Sequence, residues 1–87
     1  MDNSGNTGTP GPKRDLTFGE KQAVVKFNPS GKTAVDSIKE KYASIMDDLN
    51  TAREASTNAE VKRHLSTAIT DAKTSCMWAV GGLTWPY

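Results

Sequence analysis

The sequence predicts an all-α protein, a short N-terminal helix followed by a long antiparallel two-helix hairpin, and three observations carry that prediction. Val35, Ile38, Tyr42, Ile45, Leu49 and Ala52 recur at alternating spacings of three and four, an apolar seam sustained for about three heptads. A second stripe follows after Ser56-Thr57-Asn58, formed by Leu65, Ile69, Ala72, Cys76 and Ala79. Folded back about Thr57, the stripes fall opposite each other: Leu49 on Leu65, Ile45 on Ile69, Tyr42 on Ala72, Ile38 on Cys76 and Val35 on Ala79.

Each element has its own local reason. The opening tract MDNSGNTGTPGP has no apolar face to bury, so residues 1–13 are expected to form a flexible arm and residues 14–87 the hairpin domain. Thr17-Phe18-Gly19-Glu20 fits a capping box, which predicts a short helix over residues 18–25. Asn28-Pro29-Ser30-Gly31 then supplies turn chemistry, because Pro29 fixes its own φ and Gly31 tolerates a positive one. The second helix is predicted over residues 33–55. Thr57 or Asn58 can cap the third, over residues 59–80, with Gly81-Gly82 ending it. At 1.5 Å per residue each long helix would be about 33 Å.

A chain of 87 residues makes one domain at most, and only 36% of them are hydrophobic. With the arm excluded, about 75 residues can fold, few enough that self-association is the expected extra source of buried area. Met46, Met77, Trp78, Val80, Leu83 and Trp85 lie off the seam. The first helix, through Phe18, Ala23, Val24, Val25 and Phe27, can cover some of them, and the rest read as an interface between copies. One cysteine, Cys76, and one histidine, His64, leave no internal disulfide and no zinc site, so neither metal nor cofactor is expected. The N-terminus lacks the basic and apolar regions of a signal peptide, and no apolar run is long enough to span a membrane, which reads as a cytosolic protein.

Net charge is +1, which argues against long nucleic acid as a partner, but the charge is unevenly spread. Seven basic residues face four acidic ones over residues 13–41, one faces four over 42–60, and three face one from Val61 onward. If the acidic middle is the hairpin tip, both basic sections would meet at the other end, as suits a small anionic ligand.

Catalysis would need a convergent set that the sequence does not offer. His64 beside Arg63 reads as a solvated helix residue, Cys76 as a buried small hydrophobe, and the adjacent Asp47-Asp48 as a solvated face. Gly31-Lys32-Thr33 ends like a phosphate loop but lacks the upstream glycine and the strand. The same segment can still cradle an anion, with Lys26 and Lys32 around the turn and the Ser30 and Thr33 hydroxyls near a helix N-terminus; the simpler reading is a turn and a cap. On the third helix, Arg63, Thr67, Thr70 and Thr74 make a polar stripe about 90–110° from the seam, with Lys62, Ser66 and Lys73 close by. Arginine with hydroxyls suits phosphate and ribose, although inter-helix hydrogen bonding in an oligomer would leave the same pattern. Trp78 and Trp85 read as packing or interface anchors.

Four segments, taken in order and spacing, resemble one family: Arg14-Asp15-Leu16-Thr17-Phe18-Gly19-Glu20-Lys21; Phe27-Asn28-Pro29-Ser30-Gly31; Lys62-Arg63-His64-Leu65-Ser66-Thr67-Ala68-Ile69-Thr70; and Met77-Trp78-Ala79-Val80 with Leu83-Thr84-Trp85. They are similar to small phage proteins whose helical hairpin domain is shared between the anti-CBASS cyclic-nucleotide sponges and the Thoeris anti-defence sponges. The short length resembles the anti-CBASS branch. The resemblance implies a homohexamer that binds cyclic dinucleotides such as cyclic GMP–AMP between protomers. It also implies cyclic trinucleotides bound at separate sites where copies of a basic helix meet, both ligands being held without cleavage. Residue by residue, it implies a trinucleotide site at Arg63, Ser66, Thr67 and Thr70. It implies a dinucleotide site with a lysine at Lys26 or Lys32 near Asn28 and Ser30. Its stacking aromatic corresponds to Phe18, there being no tyrosine before Tyr42. The expectation is therefore a non-enzymatic sponge acting in the cytoplasm of an infected bacterial host, with cyclic nucleotides and its own copies as partners and no membrane. The alternatives are a sponge for an ADP-ribose-derived signal and a phage structural or protein-interaction module.

Overall fold

The computed structural model describes residues 15–86. The arm predicted for residues 1–13 lies outside them. Three helices follow in order: α1 (Phe18–Ala23), α2 (Thr33–Ala55) and α3 (Ala59–Leu83). α2 and α3 form the expected antiparallel pair. Arg53 reaches Ser66 at the tip, Tyr42 meets Ser75 in mid-length, and Lys32 bonds the Leu83 carbonyl at the open end. α1 lies against α2 and runs opposite to it, since Thr17 and Gly19 meet Asp47 while Val24 meets Lys39.

The capping box forms as the sequence predicts. The Glu20 N–H donates to the Thr17 hydroxyl at 3.1 Å, and the Thr17 N–H donates to the Glu20 carboxylate at 2.8 Å. α1 nevertheless ends at Ala23, two residues short of the prediction, because Val24 turns left-handed at φ 54°. That conformation is costly for a β-branched residue. It is held by the Val24 N–H donating back to the Glu20 and Lys21 carbonyls and by Lys39 taking the Val24 carbonyl. α2 starts and ends where the sequence places it. Asn58 caps α3 through its side-chain oxygen, which accepts from the Glu60 and Val61 N–H groups.

Gly81-Gly82 do not end α3, contrary to expectation. The helix continues to Leu83, and Thr84 closes it with its N–H and hydroxyl both on the Val80 carbonyl, at 2.9 and 2.7 Å. The effective stop is Pro86, which disfavours helical backbone at Trp85. Two glycines in a last turn weaken a helix without breaking it.

The α3 stripe is buried or half-buried at Leu65, Ile69, Ala72, Cys76 and Ala79 as predicted. The α2 stripe is rotated. Val35, Lys39, Ala43 and Met46 are the buried positions, whereas Ile45 is 51% exposed and Ala52 is exposed. A seam drawn for a two-helix hairpin misses the cause: α2 is packed on two sides. Its Tyr42 and Leu49 side meets the core shared with α3, and its Lys39, Ala43 and Asp47 side receives α1. Met46, expected off the seam, has 0% exposure. Close approach of α1 depends on Gly19, where a Cβ would fall 1.9 Å from the Ala43 carbonyl oxygen. Asp47, expected on a solvated face, is half-buried and locks the contact by accepting from the Gly19 N–H and the Thr17 hydroxyl, both at 2.7 Å.

Candidate functional site

The sequence-selected residues divide between the two ends of the hairpin. Arg63 lies one turn from the tip, and the turn with Asn28 and Ser30 lies at the open end beside Val80 and Thr84. From Arg63 to Val80, α3 rises about 25 Å, so one protomer cannot present both to the same small ligand. The expected gathering of both basic sections at the open end does not occur, because Lys62 and Arg63 open α3 near the tip.

At the open end, the 24–32 segment and the end of α3 enclose a cavity of about 270 Å³ lined by Phe27, Asn28, Pro29, Ser30, Val35, Lys39, Val80 and Thr84. Asn28 is committed to the turn. Its amide donates to the Lys32 carbonyl at 2.9 Å and to Asp36 at 3.0 Å, and its oxygen accepts from the Ser30 hydroxyl at 2.6 Å. Ser30 also accepts the Lys32 N–H at 3.2 Å. Gly31, at φ 67°, supplies the positive angle that the turn needs. The Lys32 ammonium donates to Leu83 across the mouth, which leaves Lys26, exposed at the same end, as the lysine not spent on that closure. For Asn28 and Ser30 the simpler turn reading therefore describes what their hydrogen bonds do.

Lys39 is the residue that sequence reasoning missed here. It is 6% exposed and donates to the carbonyls of Val24 and Phe27, with its ammonium 5.7 Å from the centre of the Phe27 ring. A signal was present in its four-residue spacing from Val35 and Ala43, which places it on one stripe with them. Its charge made that stripe look interrupted.

From near the tip to mid-length, Arg63, Thr67, Thr70 and Thr74 are all exposed on the outward side of α3. The Arg63 side chain is 65% exposed. Its Nε donates to the two Glu60 oxygens at 3.0 and 3.2 Å, and its Nη2 donates to one of them at 2.7 Å. This hydrogen bonding holds the Glu60 carboxyl below its ordinary value and pushes the guanidinium up. Among the described residues nothing accepts from Nη1. The Thr67 and Thr74 hydroxyls donate to carbonyls one turn back, those of Arg63 and Thr70, at 3.0 and 3.1 Å. Each hydroxyl still has acceptor lone pairs that these bonds do not use.

Ser66 and Phe18 belong elsewhere. Both are half-buried and tied to α2 through Arg53, which donates to Ser66 at 3.1 Å and to Asn50 at 2.6 Å and lies 5.5 Å over the Phe18 ring. Arg53 was not singled out from the sequence; being the one base in an acidic section was its only mark. Phe18 thus stands at the opposite end of α1 from Lys26, Asn28 and Ser30, which one protomer does not bring together with it.

The other candidate groups are engaged in structure. His64 Nδ1 lies 2.8 Å from the Glu60 carbonyl on an exposed face. Cys76 is buried, and burial pushes its thiol up against the opposing charge of Lys39, so it stays protonated at neutral pH. Among the described residues no cluster of three or more His, Cys, Asp or Glu side chains is placed to hold a metal, and no helix is long and apolar enough to cross a membrane. Trp78 and Met77 project from α3 at 78% and 67% exposure.

In comparisons with known proteins, residues 20–84 match the family model described as the Acb2/Tad1 hairpin domain. No curated protein and no solved structure gives a significant match.

Proposed function

The chain belongs to the Acb2/Tad1 hairpin-domain family, whose members bind signalling molecules as sponges, and we propose that this protein sequesters cyclic di- and trinucleotides of bacterial anti-phage (CBASS) immunity without cleaving them. The observation that carries the reading is the outward stripe of α3. Arg63 offers a guanidinium nitrogen with no acceptor among the described residues, and Thr67, Thr70 and Thr74 lie exposed in line with it. A cyclic trinucleotide presents phosphates to the first and ribose hydroxyls to the others. Cyclic dinucleotides are assigned to the open end, around Lys26, Asn28 and Ser30, with Phe18 as the stacking aromatic contributed by another copy. Assembly into a homohexamer supplies that copy, and the exposed Trp78 and Met77 give self-association an apolar surface to bury. The site of action is the cytoplasm of the infected host, where captured messenger no longer reaches its effector.

Isothermal titration of the wild-type protein and of Arg63→Glu with cyclic GMP–AMP and cyclic tri-AMP tests the proposal, followed by heat release and chromatography of the ligand. The wild type is expected to bind both ligands and return them intact. Arg63→Glu should weaken trinucleotide binding by about 100-fold or more, as loss of charge-assisted phosphate contacts implies, while its helical circular dichroism is unchanged. Equal trinucleotide affinity in the two proteins overturns the α3 assignment. No binding of either ligand by the wild type overturns the cyclic-nucleotide reading in favour of an ADP-ribose-derived signal, and recovery of cleaved ligand overturns the sponge in favour of an enzyme.

A further inference from the structure

The cavity at the open end has two walls of unequal firmness. One is the turn after α1, in which the Asn28 amide donates to the Lys32 carbonyl at 2.9 Å and the Lys32 N–H donates to the Ser30 hydroxyl at 3.2 Å. Those bonds fix the backbone from which the Lys32 side chain extends. The other wall is the end of α3, through Val80 and Thr84. Its last turn contains Gly81 and Gly82, and glycine is the weakest helix former after proline. Neither glycine is demanded by the packing around it. A Cβ at either position meets nothing within 4 Å, and neither has the positive φ of Gly31. Residues 81–83 are exposed, whereas Ile69 and Cys76 bury the middle of the helix.

The last turn is therefore held mostly at its end, where the final carbonyls of a helix need partners from elsewhere. The Val80 carbonyl accepts the Thr84 N–H and hydroxyl, and the Gly82 carbonyl accepts the Trp85 N–H at 3.3 Å. The Leu83 carbonyl accepts the Lys32 ammonium at 3.0 Å, a bond that joins the two walls. α3 has no base in its own last turn, so Lys32 supplies from outside the positive charge that favours the negative end of a helix. A segment with few buried contacts and exposed hydrogen bonds opens locally before the rest of the fold.

We propose that residues 81–85 form a latch on this cavity, hinged at Gly81 and Gly82 and caught by Lys32, whose opening admits and releases the ligand. The inference rests on the open end being a ligand site, and it assigns Lys32 to the closure and not to the ligand.

Amide exchange and stopped-flow binding of cyclic GMP–AMP test it on wild type and on two variants that push the latch in opposite directions. In wild type, Thr84 and Trp85 should exchange well before Ile69 and Ala72 in mid-helix. Lys32→Met keeps the apolar stem and removes the charge, so exchange at Thr84 and Trp85 should quicken by about 3- to 10-fold, as for an exposed charge-assisted bond at a helix end. Gly81→Ala combined with Gly82→Ala should slow it by about 3- to 10-fold, since alanine strengthens the turn without meeting a neighbour. Association and dissociation of cyclic GMP–AMP should both be faster in Lys32→Met and both slower in the alanine pair, while the rates for cyclic tri-AMP stay as in wild type. A rise in the dissociation rate alone in Lys32→Met would make Lys32 a ligand contact and overturns the latch. Unchanged exchange in both variants overturns it as well, as does wild-type exchange at Thr84 and Trp85 no faster than at Ile69. Exchange that shifts as expected with unchanged binding rates overturns the latch as a gate. Should wild type bind no cyclic GMP–AMP, the dinucleotide reading of the open end fails, and the order of exchange rates alone upholds or overturns the latch.

Discussion

The α1-facing side of α2 and the outward side of α3 draw on similar residue types and use them in opposite ways. On α2, Lys39, Ala43 and Asp47 meet the backbone of a second element: Asp47 accepts the Gly19 N–H, Lys39 donates to the Val24 and Phe27 carbonyls, and the Ala43 carbonyl lies against Gly19. On α3, Arg63, Thr67 and Thr74 bond, among the described residues, only within their own helix, to Glu60 and to carbonyls one turn back. The first surface is spent on holding the fold. The second is satisfied well enough within its own helix to stand exposed in water. Polar side chains thus divide into those that position α1 and those left facing solvent, and burial, not residue type, separates them.

The sharpest way to break this contrast is at Gly19. Any Cβ there meets the Ala43 carbonyl at 1.9 Å, a backbone contact that no rotamer change relieves. Gly19→Ala is expected to cost about 3 kcal/mol, at the upper end for overpacking, and to release α1 from α2. Chemical denaturation reads the first effect and amide exchange across residues 18–24 the second. Because the turn at the open end follows α1 directly, the dinucleotide binding proposed there should weaken as well, while the trinucleotide binding proposed for α3 should be unchanged. An unaffected α1 would mean that the contact is not what seats this helix.

A smaller effect is expected at Asp47. Removing its carboxylate leaves the Gly19 N–H and the Thr17 hydroxyl without their partner, each previously bonded at 2.7 Å. Asp47→Ala should cost about 1–2 kcal/mol, and Asp47→Asn less, because the amide oxygen can still accept one of the two bonds. The same measurements apply, and the order Asp47→Ala worse than Asp47→Asn is the decisive feature. Equal losses would assign the effect to packing and not to the hydrogen bonds.

Much of the fold was legible because it depends on local chemistry and periodicity. The capping box at Thr17, the turn at Asn28–Gly31, the bounds of α2 and the Asn58 cap are each written in a few adjacent residues, and the α3 stripe in simple spacing. What could not be read was where the second partner of α2 sits. A seam drawn for two helices puts Ile45 on it and Met46 off it, yet Ile45 is exposed and Met46 fully buried, because α1 claims a second side of α2. The same omission hid Lys39 and Asp47, whose charges suggest water until the helix that covers them is in place. For the candidate site, Arg63, Thr67 and Thr70 stand exposed together as their spacing implied. Ser66 and Phe18 point instead to Arg53, a tertiary contact that no short motif announces.

The smallest effect concerns how firmly the outer surface is tied to itself. Arg63 holds the Glu60 carboxyl below its ordinary value of 4.5, chiefly through their hydrogen bonds, with burial acting weakly the other way. A carboxyl depressed in the folded state contributes stability that is fully present above its unfolded value and is lost as pH falls through the folded one. Helix stability attributable to this pair should therefore be constant from neutral pH down to about 4.5 and decline only below that. Because both side chains are solvent-exposed, the decline should be slight. A carbon-detected titration of the Glu60 carboxyl reads the pairing directly, with a midpoint below 4.5 in wild type that returns toward it in Arg63→Gln. A wild-type midpoint at the ordinary value would show the guanidinium free of Glu60 in solution. The outer surface would then hold an arginine with no internal partner, and a ligand phosphate would meet it without first displacing a carboxylate.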